Sequence, residues 1–269
     1  MFERKPHIVV AITTFDLDAL RVSLPPLGRM RERFTLVIHN DNPAICLTRG
    51  AVRRMYPRGK LHIINAGQNR GELKSRIALV NYIRDKNIPC DWIVFVDDDD
   101  VLIECTVPNV GPDIFAIVQN ATTLSESLTD IFKVSRGWTN GAPIGKTGPH
   151  FDITGTMIRA KILFEFAEFM QTIIPDTEKL LATTKYRVPI STLLWAGINT
   201  FVQVRHPTYA PIYMNRTNYV AIKMGRATTK YGRTVPANAP AHKTISETIK
   251  KFTGLVELVA TQNMVAENQ

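Results

Sequence analysis

Four consecutive aspartates, Asp97, Asp98, Asp99 and Asp100, directly follow the apolar run Trp92-Ile93-Val94-Phe95-Val96. Carboxylates this close repel one another, and at the end of so apolar a segment they call for a counter-charge. A hard dication such as Mg2+ or Mn2+ supplies one, because it takes oxygen ligands and bridges diphosphate oxygens. Taken alone, the run also fits phosphatase or nuclease chemistry, or a solvated acidic turn that caps the next helix.

The elements that would hold this run are legible upstream. Ile8-Val9-Val10-Ala11-Ile12 reads as a strand covered on both faces, and Thr13-Thr14-Phe15-Asp16 as the loop after it. Leu17, Leu20 and Leu24 are spaced like a helix face, which Pro25-Pro26 should stop. Phe34-Thr35-Leu36-Val37-Ile38 is a second strand ending in a polar turn, residues 45–56 a helix, and Leu61-His62-Ile63-Ile64 a third strand. Leu73, Ile77, Val80 and Ile83 share one face of the next helix, and residues 92–96 form the fourth strand. Alternation of this kind predicts βαβ units and a mostly parallel sheet. Ligands bind such sheets beyond the carboxyl ends of the strands, where four loops, the last of them residues 97–100, should converge.

The second half is less regular. Residues 112–135 read as helical, 137–148 as a Gly-rich loop, 158–174 as a strong helix and 189–198 as another. Phe201-Val202-Gln203-Val204 and Ile212-Tyr213-Met214 read as short strands, and residues 245–258 as a terminal helix.

Composition sets the frame. The chain has 269 residues, 45% hydrophobic and 21% charged, enough to bury a core without staples. Cys46, Cys90 and Cys105 have neither zinc-ligand nor redox-motif spacing, which argues against a disulfide framework and for a reducing compartment. The apolar run near the N-terminus is too short for a signal peptide, and no stretch approaches the ~20 apolar residues of a membrane span, so a soluble cytoplasmic protein is expected. Net charge is +9 and the pI about 9.6. Such a surface favours polyanions: nucleotides, nucleic acid or, peripherally, an anionic membrane face. The cations cluster at Arg29, Arg31 and Arg33, again at Arg49, Arg53, Arg54, Arg58 and Lys60, and again at Lys223, Arg226, Lys230 and Arg233.

Phe95-Val96-Asp97-Asp98-Asp99-Asp100-Val101-Leu102 resembles the hydrophobic–hydrophobic–Asp-x-Asp-Asp stretch of family 2-like glycosyltransferases with the GT-A fold. Residues 8–15 look like that family's first strand and nucleotide loop, and residues 37–43 like its second strand. Asn69-Arg70-Gly71 with Ser75-Arg76 resembles its Asn-x-Gly…Ala-Arg-Asn segment, with Ile77 where Asn is usual. The likeness spans about residues 7–104.

The resemblance implies an α/β, Rossmann-like GT-A fold, with a mostly parallel sheet flanked by helices and a mixed acceptor-side second half. It implies one catalytic domain over residues 1–225, divided into a nucleotide-sugar half (1–104) and an acceptor half (105–225), followed by a basic loop and C-terminal helix (226–269). It implies sugar transfer from a nucleoside-diphosphate sugar with Mn2+ or Mg2+. Asp99 would be the direct metal ligand, and Asp97 would contact ribose or metal. Asp98 occupies the variable position on the donor side, and Asp100 would hold the sugar or orient the site. Thr13 and Phe15 would cradle the nucleotide, Asp41 would bond the base, and Arg76 would reach the diphosphate or the donor sugar. His206 would be a third metal ligand, as a late His is in some members.

A closing loop would bring Lys223 and Arg226 to the leaving diphosphate, whose growing charge needs stabilising. An inverting reaction needs a carboxylate base. No copy of the family's usual acidic pair is evident, so Asp152 is the first candidate, followed by Asp176 with Glu178 at a predicted helix start. The acceptor would be a saccharide or lipid-linked hydroxyl. The basic surface also admits a DNA base as acceptor. A nucleotidyltransferase of related fold usually carries a Gly-rich loop after its first strand, which Thr13-Thr14-Phe15 is not.

Overall fold

The computed structural model describes residues 5–125, 147–149, 152–223 and 240–267. The first half alternates as the sequence predicts. It comprises β1 (Ile8–Thr14), α1 (Leu20–Leu27), β2 (Phe34–Asn40), α2 (Arg49–Met55), β3 (Lys60–Asn65), α3 (Gly71–Asp85) and β4 (Trp92–Asp97). β2 is buried along its whole length and β1 nearly so, because helices cover both faces of the sheet. β1 pairs in parallel with β2 and β4, and β2 with β3. All four strands therefore end at one edge.

The remaining elements are β5 (Val101–Leu102), β6 (Ile114–Ser125), β7 (Thr147–Pro149), β8 (Met157–Arg159), α4 (Ala160–Ala182), α5 (Ile190–Arg205), β9 (Ala210–Lys223) and α6 (Pro240–Glu267). The strand order is β3-β2-β1-β4-β8-β6-β9-β5, with β7 on the flank of β6. β8 runs antiparallel to both β4 and β6, while β9 runs parallel to β6, so the sheet is mixed in its second half.

One hydrophobic core lies between the sheet and α3, α4, α5 and α6; it includes Leu73, Phe95, Phe115, Phe166, Phe201 and Phe252. A second fills the other face beneath α1 and α2, around Val10, Leu24, Leu36, Val52 and Val94. No helix among the described residues is long and apolar enough to cross a membrane. The three cysteine thiols are free.

Several second-half expectations are corrected. Residues 114–125 form a strand, not a helix, because the apolar run Ile114-Phe115-Ala116-Ile117-Val118 is covered on both sides by β8 and β9. Phe201 and Val202 continue α5, whose buried Leu194, Ile198 and Phe201 keep helical spacing. α4 does not stop at Ile174 but runs through Pro175. There the Thr177 hydroxyl donates to the Ile173 carbonyl at 2.8 Å. α1 likewise includes Pro25 and Pro26, and the Gly28 N–H closes it on the Leu24 carbonyl at 3.0 Å.

Candidate active site

The aspartate turn sits at the carboxyl edge of β4. Asp97 is the last β4 residue and lies beside Thr13 of β1, which in turn lies beside His39 of β2. The Asp100 N–H closes the turn on the Asp97 carbonyl at 3.1 Å. The four carboxylates have different surroundings.

Asp97 Oδ1 accepts from Arg76 Nη2 at 2.6 Å, and the same nitrogen donates to Glu72 Oε1 at 3.0 Å. Arg76 is 2% exposed, on the inner face of α3, and its guanidinium lies 5.5 Å from the centre of the Phe95 ring. Burial opposes its charge, but Asp97 and Glu72 more than offset this and hold the guanidinium protonated. Arg76 therefore braces Asp97 from inside the protein rather than reaching out to a diphosphate.

Asp98 Oδ2 accepts from the Thr14 hydroxyl at 2.6 Å, tying the turn to β1. Burial pushes its pKa up to about 7, with Asp99 and Asp97 adding to the rise against the Thr14 hydrogen bond. Burial, then Asp97, pushes Asp99 up to about 6. Among the described residues, no side chain of another residue donates to Asp99.

Asp100 is buried. Its Oδ2 accepts from the Tyr219 hydroxyl and its Oδ1 from the Ile222 N–H, both at 2.7 Å. Burial, then Asp97 and Asp99, raises its pKa well above the usual carboxylate range. Both Asp100 oxygens are thus engaged inside the protein, by Tyr219 and Ile222.

Tyr219 was not legible in the sequence. Its hydroxyl also accepts from the Asp97 N–H at 3.2 Å, so one phenol bridges both ends of the turn. Room for its ring comes from Gly155, where φ is +72° and a Cβ would stand 2.8 Å from the ring. The Gly155 N–H donates to the Phe95 carbonyl at 2.8 Å, and Asn218 Nδ2 donates to the Gly155 carbonyl at 3.0 Å.

The neighbouring loops are held by short polar side chains. Asp41 accepts from the Arg70 and Gly71 N–H groups, both at 2.9 Å, and so caps the start of α3. It is buried by this role, which corrects the expectation that it meets a base. Asn40 donates to the Ile45 carbonyl at 2.6 Å and to Asn65 Oδ1 at 3.0 Å, and Asn42 donates to the Phe15 carbonyl at 2.9 Å. Strand-end asparagines are common turn residues, so nothing in the sequence marked these as a network. Phe15 is 52% exposed, an apolar shelf at the same edge as Asp97.

The candidate residues of the second half are not brought together as expected. Both Asp152 oxygens are engaged: Oδ1 by Thr154 N–H and hydroxyl, each at 3.2 Å, and Oδ2 by Ser191 at 2.9 Å and Thr192 at 3.2 Å. Four donors fill a carboxylate's lone-pair sites, so Asp152 fastens the start of α5. Asp176 lies inside α4 rather than at a helix start, exposed and paired with Lys179 at 3.0 Å. Glu178 pairs with Lys74 at 2.7 Å. His206 bonds Glu165 at 2.6 Å and stacks on Tyr209, just past the end of α5. The 16 residues of α5 carry it about 24 Å from the end that meets Asp152, so it is no ligand for the aspartate turn. Lys223 closes β9, and Arg226 lies outside the described residues.

Among the described residues, no three metal-ligating side chains converge on one point. A dication would take Asp99 and the second oxygen of Asp97. Phosphate oxygens and water would complete its shell, as Mg2+ commonly requires, and the residues fit that demand.

No protein-family model matches the sequence, and no curated protein matches it. Solved structures are similar. S. aureus TarS residues 1–349 in complex with UDP-GlcNAc has 11% identity and a TM-score of 0.50, over 91% of this chain and 71% of that one. The longer S. aureus TarS has 13% identity and a TM-score of 0.48, and the chain spans 42% of its length, 91% of this chain being covered. A mannosyltransferase from Pyrobaculum calidifontis in complex with GDP-Man and Mn2+ has 12% identity and a TM-score of 0.44, over 98% of this chain and 75% of that one. The fold is thus the GT-A-like α/β fold of glycosyltransferases, as the first half of the sequence implied.

Proposed function

We propose that the protein is a family 2-like glycosyltransferase that moves a sugar from a nucleoside-diphosphate sugar to the hydroxyl of a saccharide or lipid-linked acceptor. The observation that carries this reading is the aspartate turn at the carboxyl edge of β4. There Asp98 and Asp100 are tied inward, while Asp99 and one oxygen of Asp97 stay available beside Thr13 and Phe15. TarS residues 1–349, of like fold, was solved with UDP-GlcNAc, which supports a nucleotide-sugar donor.

In this reading the base rests against Phe15, and the ribose and diphosphate cross the end of β1 toward Asp97. Mn2+ or Mg2+, held by Asp99 and Asp97, would neutralise charge growing on the departing nucleoside diphosphate. Arg76 holds Asp97 in place from inside the protein without touching the donor. Tyr219 and Asp100 set the shape of the turn before any ligand arrives, so little reorganisation remains for the reaction. Lys223 and Arg226 remain the cations expected to assist the departing diphosphate; β9 ends at Lys223, and Arg226 lies outside the described residues.

The test is thermal denaturation with a panel of UDP- and GDP-sugars, with and without Mn2+. One donor class should raise the melting temperature only when metal is present, and Asp99→Ala should abolish the rise. The reading fails if no nucleotide-sugar shifts the transition, or if Asp99→Ala shifts equally.

A further inference from the structure

The two arginine clusters of the first 60 residues have no part in the site above. The loop after α1 carries Arg29, Arg31 and Arg33; the end of α2 and the turn into β3 carry Arg54, Arg58 and Lys60, and all six are exposed. Packing merges them. Gly28 sits so close to the second loop that a Cβ there would lie 3.3 Å from both the Met55 carbonyl oxygen and Pro57 Cδ. Arg53 stiffens that loop, donating to the Gly59 carbonyl at 2.8 Å. Arg33 directly precedes β2, Lys60 begins β3, and the two strands run in parallel from that end. The merged patch therefore lies at the amino edge of the sheet, about 20 Å from the aspartate turn along strands of six or seven residues.

The patch is short of counter-charge. Glu32 is the acidic residue of these two segments, and the Thr106 hydroxyl binds its carboxylate at 3.0 Å, while the neighbouring Glu104 is paired with Arg216. Among the described residues, Arg31, Arg33, Arg54, Arg58 and Lys60 enter no ion pair. Uncompensated cations held together on folding repel one another, and an external polyanion relieves that cost.

We propose that this edge docks the protein onto an anionic membrane surface through lipid phosphates. The form of the patch favours a lipid face over nucleic acid. The cations stand on loops and strand starts, and the adjoining α2, only seven residues long, offers little to enter a groove. The aromatic rings beneath, Phe34 and Tyr56, are buried and stacked on each other with centroids 5.9 Å apart, so neither can stack on a base. An array of guanidinium groups without base readout suits a plane of phosphate headgroups. Docked this way, the aspartate turn faces away from the bilayer, an orientation that suits a saccharide acceptor rather than a lipid-linked one in the same membrane. The proposal does not rest on the sugar-transfer reading.

The experiment is co-sedimentation of the full chain with phosphatidylcholine vesicles, with and without phosphatidylglycerol, at low and high salt, with duplex DNA retention in parallel. Binding should need the anionic lipid and fall with salt. Each cation contributes roughly fivefold to partitioning, so R31Q/R33Q/R54Q/R58Q should lose on the order of a hundredfold or more, and the corresponding Glu variant more still. The Gln variant keeps the test decisive if charge reversal harms folding. The Gln variant should melt no lower than the parent, since it relieves the repulsion, and should keep any nucleotide-sugar shift of the parent, which separates failure here from failure of the enzymatic reading. Equal binding to neutral vesicles, unchanged binding by the Gln variant, or retention on DNA without binding to anionic vesicles overturns the proposal.

Discussion

The Tyr219 hydroxyl lies 2.7 Å from Asp100 Oδ2, joining residues 119 positions apart in the chain. It also accepts the Asp97 N–H, so a residue of β9, in the second half of the chain, fixes the aspartate turn that ends the first half. Tyr219→Phe keeps the ring and deletes both bonds. Losing bonds to a buried carboxyl costs about 1–3 kcal/mol, and each kcal/mol lowers the melting temperature of a chain this size by about 2–4 °C. Metal-dependent donor affinity should fall as well. A variant with unchanged melting temperature and donor affinity would show that the bridge contributes nothing.

Gly155→Ala should be more damaging. Its φ of +72° disfavours any side chain, and the added Cβ would stand 2.8 Å from the Tyr219 ring. Left-handed strain costs about 1–2 kcal/mol before the clash is counted. Urea unfolding should show a lower midpoint with an unchanged slope. If the midpoint holds, the packing of Tyr219 against Gly155 is not tight.

Arg76→Met should fill most of the volume while leaving Asp97 unbraced. Removing one partner of a buried pair costs about 3–5 kcal/mol when the other is also buried. Asp97 is 36% exposed, so a smaller loss of about 1–3 kcal/mol is expected. Glu72 retains Arg187 at 3.7 Å. Calorimetry should show weakened Mn2+ binding beside the lower stability. Intact metal binding would mean that Asp97 needs no brace.

Stability without metal should fall as pH rises. Asp98 is pushed up to about 7 and Asp99 to about 6, above the unfolded aspartate value of about 4. Between those limits the folded state holds protons that the unfolded state has lost. By linkage their contribution is full below about pH 4 and is lost as pH rises through about 6–7. His39 acts with the opposite sign, since burial, partly offset by Asp41, lowers its pKa. Chemical denaturation between about pH 5 and 7.5 should therefore be compared with the Asp98→Asn/Asp99→Asn variant, whose stability should fall less with pH. Saturating Mn2+ should flatten the parent's decline. Equal slopes in parent and variant would refute this assignment.

The sequence alone determined the parallel half of the sheet and the position of the aspartate run at its carboxyl edge. Those features are local: buried parallel strands are continuous apolar runs such as residues 8–12 and 92–96, and α3 shows its inner face by spacing. It misread β6 and residues 201–204 because short apolar runs look alike in strands and buried helices, and their neighbours in space decide between them. Tertiary structure also decided the surroundings of each carboxylate. Arg76 turned inward because α3 packs that face on Phe95, Asp41 was taken by the first N–H groups of α3, and His206 was carried off by the length of α5. Tyr219 became part of the site only because β9 returns beside β5 and Gly155 leaves room for its ring. Hydrogen bonds between residues far apart in the chain carry no periodic signature, so only the folded chain reveals them.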